Sequence, residues 1–190
     1  MREADVCIVG AGFTGLWTAY ELRRADPNLE VVVLEAEHVG FGASGRNGGW
    51  VFGKLSGSAD GWRRRGGPNG PRAMARAIQE TVAEIGEVVK REGIQCDWRQ
   101  GGTLKVAQNE TQMARLRASV EAERQEIGEE AAWRLLDGDE LRDRVAIDRA
   151  LGAIYNPFCA RAQPARLAVD LADAAERAGA VIYESTPVTA

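Results

Sequence analysis

The sequence predicts an α/β fold that begins with two parallel strands joined by a helix. Residues 5–9 and 31–34 are short apolar runs rich in β-branched side chains, each followed by turn residues, which is typical of buried strands. Between them, the apolar positions of residues 16–24 approximate helical spacing, and Asp26-Pro27-Asn28 ends that pattern. Strand, helix and strand together have the length of one βαβ unit, about 30 residues with a right-handed crossover.

The composition is typical of a globular chain. Of the 190 residues, 45% are apolar and 27% are charged, which is enough to bury a core. The longest aliphatic run, residues 31–34, is far shorter than the about 20 apolar residues of a membrane span, so no span is predicted. The chain begins with charged residues followed at once by a strand, without the features of a signal peptide. We therefore expect a cytoplasmic protein.

Charge and cysteine content exclude further classes. A net charge of -4 argues against a general nucleic-acid binder, and only the local cluster Arg63–Arg65 points the other way. Three widely spaced cysteines indicate neither a disulfide framework nor a metal site, and Cys7 is expected to be a buried core thiol. His38 is the single histidine, so no zinc site is predicted, and a Ser-His-Asp triad would require His38 itself. An exposed loop position is the expectation for His38.

The next elements follow a change of pattern. Residues 40–70 are rich in glycine and arginine without helix or strand periodicity, so they are expected to form an extended functional loop. From residue 74 to residue 89, apolar side chains recur every three or four positions, which predicts an amphipathic helix ending near Gly93. Residues 97–106 predict a strand pair or a bent strand.

Capping signals define the helices that come later. Asn109 with Gln112 resembles a capping box and predicts a helix that closes at Gly128, and Asp137 with Glu140 repeats the signature. Three elements complete the chain: a strand over residues 150–155, a helix over residues 164–178 with proline in its first turn, and a strand over residues 180–184 that returns to the first sheet.

A glycine motif lies at the turn from the first strand to the first helix. Its residues are Gly10, Ala11, Gly12, Phe13, Thr14 and Gly15, with the spacing GxGxxG. Gly10 permits a tight turn, Gly12 lets a pyrophosphate approach the helix N-terminus, and Gly15 allows close packing of helix on strand. Glu35, which ends the second strand, is placed to accept hydrogen bonds from ribose hydroxyls and to repel a 2′-phosphate. The sequence therefore predicts a Rossmann-like dinucleotide-binding domain that disfavours NADP.

The segment Gly40–Gly49 favours FAD over NAD. Its glycines alternate with Ser44, Arg46 and Asn47, so bare backbone and short polar side chains line a path that an extended cofactor could follow. A flexible surface loop is the alternative interpretation of a segment of this kind.

These segments resemble a known family. DVCIVGAGFTGLWTAYEL, VVVLEAEHVGFGASGRNGG and RAQPARLAVDLADAAERAGAVIYESTPV are similar to the FAD-dependent D-amino acid oxidase family, and GFGASGRNGGW is closest to the branch with gamma-glutamylputrescine oxidoreductase. The resemblance implies oxidation of a C–N bond in an amine or amino acid, with hydride transfer to FAD. It assigns the pyrophosphate to Gly10–Gly15, the adenosine ribose to Glu35 and Ala36, and the adenine to Val188. The flavin side falls to Ser44, Arg46, Asn47 and Gly48; no catalytic residue is assigned.

The resemblance also implies a division of the chain. Residues 1–93 are expected to form the first part of the FAD-binding domain, residues 94–160 the start of an inserted α+β substrate domain, and residues 161–190 the return to the FAD-binding domain. Members of the family are about twice as long, so we expect an N-terminal part that is inactive alone and needs the missing C-terminal half or a second chain. An NAD-dependent dehydrogenase and a non-catalytic nucleotide-binding or RNA-binding fragment are the alternatives.

Overall fold

The structure is a computed structural model that describes residues 3–189. The strands are β1 (Val6–Val9), β2 (Val31–Leu34), β3 (Trp50–Phe52), β4 (Arg99–Gln100), β5 (Thr103–Ala107), β6 (Arg134–Leu136), β7 (Gly152–Asn156), β8 (Cys159–Arg161) and β9 (Val181–Tyr183). The helices are α1 (Phe13–Ala25), α2 (Ala43–Arg46), α3 (Ala59–Gly66), α4 (Gly70–Glu92), α5 (Glu110–Ile127), α6 (Gly138–Arg142) and α7 (Pro164–Arg177), with a short 3₁₀ turn over Gly128–Glu130. The α/β fold class is confirmed.

The chain divides into two compact units. The first unit contains the residues up to Trp50, Glu87–Trp98 and the residues from Arg161 onward, and the second contains Val51–Gly86 and Arg99–Ala160. We refer to them as unit 1 and unit 2.

Unit 1 is built on a parallel three-stranded sheet with the order β1-β2-β9. Val6 of β1 is in register with Val31 of the central strand β2, and Val32 of β2 is in register with Val181 of β9. The expected return of the last strand to the first sheet is therefore confirmed.

Helices α1 and α7 form the layer of unit 1 that packs on this sheet. Helix α1 buries Leu16, Ala19 and Tyr20, and α7 buries a row of small and apolar side chains that includes Leu167 and Leu171. The sheet residues beneath them, Val31 and Val33, are at most 1% exposed. Burial of these apolar side chains between the helices and the sheet stabilises the unit.

The opposite face of the sheet is open in this chain. Along β1, side chains alternate between half-buried and exposed positions, and Val9 is 69% exposed. Cys7 is exposed as well. The prediction of a buried Cys7 is therefore wrong, because the face of the strand that carries its thiol has no covering layer among residues 3–189.

Unit 2 contains most of two further sheets, β3-β8-β4 and β5-β7-β6. In the second of these, β7 lies at the centre and pairs antiparallel with both neighbours. One apolar cluster joins Ile154 of β7 to Val120 of α5 and to Trp133, and another joins Ala153 to Leu136 and Leu141. The capping box predicted from Asp137 and Glu140 is present in full at the start of α6.

The prediction for residues 40–70 is wrong in one respect. These residues contain α2, β3 and α3 instead of a single irregular loop. Helix α2 has four residues and β3 has three, which is too short to show periodicity in a sequence. Helix α3 begins at Ala59, and the side chain of its N-cap residue Ser58 accepts a hydrogen bond from the Gly61 N–H. The arginines Arg63–Arg65 accordingly lie in the last turn of a helix and not in a loop.

Candidate functional site

The glycine motif forms the turn between β1 and α1. Gly10 has a φ of +100°, a conformation that residues with a side chain rarely adopt, and its N–H donates to the Leu34 carbonyl at 2.8 Å. A Cβ at Gly15 would overlap with the Gly10 carbonyl oxygen and would lie 3.2 Å from Ile8 Cγ2. Only glycine at position 15 therefore lets α1 approach β1 this closely.

A serine from a later segment accepts a hydrogen bond from the N-terminus of α1. Gly12 occupies the N-cap position and offers no side chain to the helix. In its place, Ser44 Oγ accepts a hydrogen bond from the Phe13 N–H at 2.9 Å. A Cβ at Gly12 would lie 2.9 Å from the same Oγ. The first-turn N–H groups and the helix dipole make this end of α1 suited to an anion, and the Ser44 hydroxyl lies beside it.

Glu35 links the end of β2 to the glycine motif. Its Oε2 accepts a hydrogen bond from the Ala11 N–H at 2.7 Å, and its Oε1 accepts one from the Glu37 N–H at 3.0 Å. A carboxylate has about four acceptor positions, so both oxygens keep capacity for the hydroxyls of a ribose. Ala36, the next residue, is exposed.

The segment Gly40–Gly49 is held in place by its own hydrogen bonds. The Gly40 N–H donates to the Ala11 carbonyl at 3.0 Å, which joins the segment to the glycine motif. Asn47 Nδ2 donates to the Ser44 carbonyl at 2.7 Å, and Asn47 Oδ1 accepts from the Gly49 N–H at 2.7 Å. Gly49 has a φ of +69°, and a Cβ there would overlap with the Ala162 carbonyl oxygen. These bonds argue against a flexible surface loop.

Arg46 and Gly48 remain open to solvent in the same segment. The Arg46 guanidinium lies 4.4 Å from the centre of the Phe41 ring. Gly48 is exposed, and a Cβ there would meet no atom within 4 Å. This bare backbone could line one side of an extended ligand, and the assignment of Arg46 and Gly48 to a flavin stays a prediction.

Val188 lies in the segment that follows β9. The Glu35 N–H donates to the Tyr183 carbonyl, and the Thr186 N–H donates to the Glu35 carbonyl, both at 2.8 Å. The segment after β9 therefore runs beside Glu35, and Val188, which is 57% exposed, follows Thr186 by two positions. This places the predicted adenine contact at the same end of the sheet as the predicted ribose contact.

The remaining candidates have structural partners. His38 is exposed, and its ring meets the edge of Phe41 at 5.2 Å between centres. In unit 2, Arg63 forms ion pairs with Asp60 and with Glu126. These contacts compensate one charge of the Arg63–Arg65 cluster and weaken the case for binding of RNA.

The structure brings together Gly10–Gly15, Glu35 and Ser44 through direct hydrogen bonds, and it brings Val188 close through Thr186. Sequence reasoning assigned Ser44 to the flavin side and missed its bond to Phe13. No local pattern could have found that bond, because it joins residues 31 positions apart. Among residues 3–189, no helix combines the length and the apolar character that a bilayer crossing requires.

A family model and curated relatives match nearly the whole chain. The family model described as FAD dependent oxidoreductase matches residues 5–190. The chain is 40% identical over 185 residues to gamma-glutamylputrescine oxidoreductase of Escherichia coli (strain K12), a match that covers 97% of this chain and 42% of that protein. It is 33% identical over 187 residues to glycine oxidase of Geobacillus kaustophilus, which covers 97% of this chain and 46% of that protein.

Solved structures show the same fold. The crystal structure of glycine oxidase from Geobacillus kaustophilus matches with a TM-score of 0.69 and 30% identity, over 99% of this chain and 48% of that chain. L-amino acid deaminase from Proteus vulgaris matches with a TM-score of 0.74 and 21% identity, over 97% of this chain and 40% of that chain. The chain thus spans less than half of the length of each of these relatives.

Proposed function

This chain belongs to the family of FAD-dependent oxidoreductases, and from that premise we propose that it is the FAD-binding part of an enzyme that oxidises an amine or an amino acid. The observation that carries the proposal is the set of hydrogen bonds at the glycine motif. The Glu35 carboxylate and the Ser44 hydroxyl accept hydrogen bonds from the N–H groups of Ala11 and Phe13, which lie on either side of Gly12. Groups suited to a ribose and to a pyrophosphate therefore converge on one turn of the chain.

The residues present fit an FAD molecule. The N-terminus of α1 would take the pyrophosphate, because Gly12 leaves the approach free of a side chain. Since Ser44 Oγ accepts from Phe13, its own hydrogen is available to donate to a phosphate oxygen. Glu35 would accept the ribose hydroxyls, with Ala36 beside it and Val188 toward the adenine. Arg46, Asn47 and Gly48 would lie on the flavin side.

Bound FAD would supply the acceptor for a hydride from the carbon next to the substrate nitrogen. The protein groups described above bind and orient that cofactor, and we assign no catalytic residue among them. The substrate class is proposed from relatives whose names refer to gamma-glutamylputrescine and glycine. Both compounds carry an amino nitrogen on a carbon that can lose hydride.

An NAD-dependent dehydrogenase is the second candidate, because Glu35 would serve the ribose of either cofactor. Fluorescence titration of the purified chain with FAD and with NAD separates the two. We expect FAD to bind more tightly, and we expect Gly12→Val to abolish that difference. Gly101→Val is the matched control, since Gly101 is exposed and a Cβ there meets no atom within 4 Å. Tighter binding of NAD, or unchanged FAD binding in Gly12→Val, would contradict the proposal.

The reaction itself requires a longer protein. We would join this chain to the part of the Escherichia coli relative that follows its matched segment, and add amines and amino acids to the flavin-loaded product without oxygen. Loss of the visible flavin absorbance identifies the substrate class. Reduction by 2-hydroxy acids but by no amine or amino acid would contradict it.

A further inference from the structure

A small cavity lies between helices α3 and α4, within unit 2. Its volume is about 330 Å³, at the lower end of the range of about 300–1,000 Å³ that is typical of ligand pockets. Trp62 and Arg65 of α3 line it on one side, and Ala73, Met74 and Ala77 of α4 line it on the other. The wall of the cavity is therefore apolar except for one guanidinium.

The walls of this cavity are fixed by a close contact between the two helices. A Cβ at Gly70 would overlap with the Trp62 carbonyl oxygen, so α3 and α4 approach each other here without a side chain between them. The Trp62 indole N–H donates to the Ser56 carbonyl at 2.7 Å, which holds the half-buried ring in place. A ligand would therefore find a preformed apolar wall and would not have to satisfy the indole N–H.

Arg65 is the charged group of the cavity, and no carboxylate neutralises it. Its guanidinium lies 5.5 Å from the centre of the Trp62 ring, and it forms no ion pair with any residue between positions 3 and 189. Arg63, by contrast, is paired with Asp60 and with Glu126. A guanidinium binds a carboxylate through two parallel hydrogen bonds, so Arg65 gives one edge of the apolar cavity an affinity for that group.

We propose that this cavity binds a small organic carboxylate with an apolar body. The body would lie against Trp62, Met74 and the alanines of α4, and the carboxylate would meet Arg65. The net charge of -4 disfavours anions in general, so selective binding of a carboxylate has to come from the local arrangement around Arg65. The site is formed by unit 2 alone and does not depend on FAD or on the reaction proposed above.

Three probes of similar size separate the charged contact from the apolar one: phenylacetate, the neutral phenylacetamide and the cationic phenethylamine. We would titrate each probe into the isotope-labelled chain and follow the indole N–H signals of its five tryptophans by NMR, with Trp62→Phe identifying the signal of Trp62. That signal should shift and saturate with phenylacetate. Phenylacetamide should bind about tenfold more weakly, because it loses a hydrogen bond between charged groups. Phenethylamine should bind more weakly still.

Two pairs of variants test the contacts themselves. Arg65→Gln should weaken the binding of phenylacetate by about tenfold or more, to the level of phenylacetamide, and should leave phenylacetamide unchanged. Arg64→Gln is the matched control, since Arg64 lies in the same turn of α3 but outside the cavity lining. Ala77→Phe places a ring in the cavity and should abolish the binding of every probe. Ala83→Phe, at an exposed position farther along α4, should not.

Three results would overturn the proposal. The first is a Trp62 signal that does not shift with phenylacetate, or that shifts without saturating. The second is equal affinity for phenylacetate and phenethylamine, or a preference for the carboxylate that survives in Arg65→Gln. The third is a Trp62 signal that changes with chain concentration when no probe is present, which would assign the cavity to a contact between two copies. If the chain alone gives no dispersed indole signals, the same titrations are made on the chain joined to the part of the Escherichia coli relative that follows its matched segment, and the same results decide.

Discussion

At the scale of single residues, Glu35 combines a structural contact with a predicted binding role. Its two carboxylate oxygens accept hydrogen bonds from Ala11 and Glu37, so the carboxylate fixes the glycine motif relative to the end of β2. Hydrogen bonds to charged groups contribute about 1.5–3 kcal/mol each. Loss of this side chain would therefore destabilise the glycine motif even in the absence of a cofactor.

We predict that Glu35→Ala weakens FAD binding by about tenfold or more, since about 1.4 kcal/mol corresponds to a factor of ten. The variant should also unfold at a lower urea concentration without FAD, because the Ala11 N–H loses its acceptor. Equilibrium dialysis and urea titration measure the two effects. Glu37→Ala is the control, since it keeps the backbone N–H that Glu35 uses. An unchanged dissociation constant in Glu35→Ala would show that the carboxylate does not contact the ribose.

Glycines 12 and 15 should respond differently to substitution. In Gly12→Val the new side chain meets the hydroxyl of Ser44, which can rotate away, so we predict a folded protein that no longer binds FAD in a titration. In Gly15→Ala the new methyl group meets the Gly10 carbonyl, which cannot move without breaking the turn, and overpacking of this kind costs about 1–3 kcal/mol. Thermal unfolding should show a larger fall in Tm for Gly15→Ala than for Gly12→Val, which loses only the bond between Phe13 and Ser44. An unchanged FAD dissociation constant in Gly12→Val would contradict the placement of the pyrophosphate at this helix end.

Some features of the candidate site could be predicted from the sequence, and others could not. The glycine motif and Glu35 could be identified because each has a fixed spacing from a strand that the sequence also predicts. The Ser44 bond to Phe13 could not, since it depends on the path of the segment Gly40–Gly49 in space. Cys7 was misplaced for a related reason, because strand composition does not show whether a neighbouring layer is present.

At the scale of elements, a polar contact joins α1, α7 and the last turn of α4 within unit 1. Tyr20 of α1 donates a hydrogen bond to Glu92 of α4, and Arg177 of α7 donates to the same carboxylate. The Tyr20 hydroxyl, and then Arg177, hold the pKa of Glu92 below its ordinary value. Burial, and then the bond to Glu92, raise the pKa of Tyr20 above its ordinary value. Each charge state is therefore coupled to the packing of the three helices.

These pKa shifts give a pH dependence of stability with a defined sign. The contribution of Glu92 is complete above its ordinary pKa of 4.5 and is lost as pH falls through its lowered pKa. The contribution of Tyr20 is complete below its ordinary pKa of 10.0 and is lost as pH rises through its raised pKa. We predict that Tyr20→Phe lowers the free energy of unfolding near neutral pH by about 1.5 kcal/mol.

Urea unfolding of Tyr20→Phe across the acid and alkaline ranges measures this effect. The difference from the unsubstituted protein should shrink toward both extremes of pH. Tyr155→Phe, which removes a hydroxyl that donates to the Gly101 backbone carbonyl at 3.2 Å, serves as the control. A destabilisation that is the same at every pH would mean that the loss comes from packing and not from the bond to Glu92.

Helices with at least three turns were predicted from periodicity, and shorter elements were predicted only where another signal marked them, as the capping box marked α6. Helices α4 and α7 have 23 and 14 residues, so their apolar positions repeat often enough to be recognised. Strands β6 and β8 have three residues each and carry no measurable alternation. Their pairing is decided by neighbouring strands in the folded chain.

At the scale of the whole molecule, the residues proposed to hold FAD all belong to unit 1. The residues that would hold FAD come from the glycine motif, the ends of β2 and β9, and the segment Gly40–Gly49. The relatives have more than twice as many residues as their matched part. We predict that this chain binds FAD about 100-fold more weakly than the protein joined to the remainder of a relative, because fewer groups are pre-organised around the ligand.

Fluorescence titration of both proteins with FAD gives the ratio of the two dissociation constants. The Glu35→Ala substitution should weaken FAD binding in the joined protein as well, which would show that both proteins bind FAD at the same site. Recovery of stoichiometric FAD with the 190-residue chain after gel filtration would contradict the prediction, and would mean that this half of the site is sufficient for tight binding.

The pairing of β2 with β9 also determines the order in which the two units can fold during translation. Val32 pairs with Val181, so β2 cannot pair with β9 until about 150 more residues have been synthesised. At a translation rate of about 5–20 residues per second, that interval lasts about 7–30 s. All of unit 2 is made within it. The second unit should therefore become resistant to protease on the ribosome before the first, while the edge of β2 still exposes unpaired N–H and C=O groups to other nascent chains. Pulse proteolysis of chains stalled at increasing lengths would detect the order, and simultaneous protection of both units would refute it.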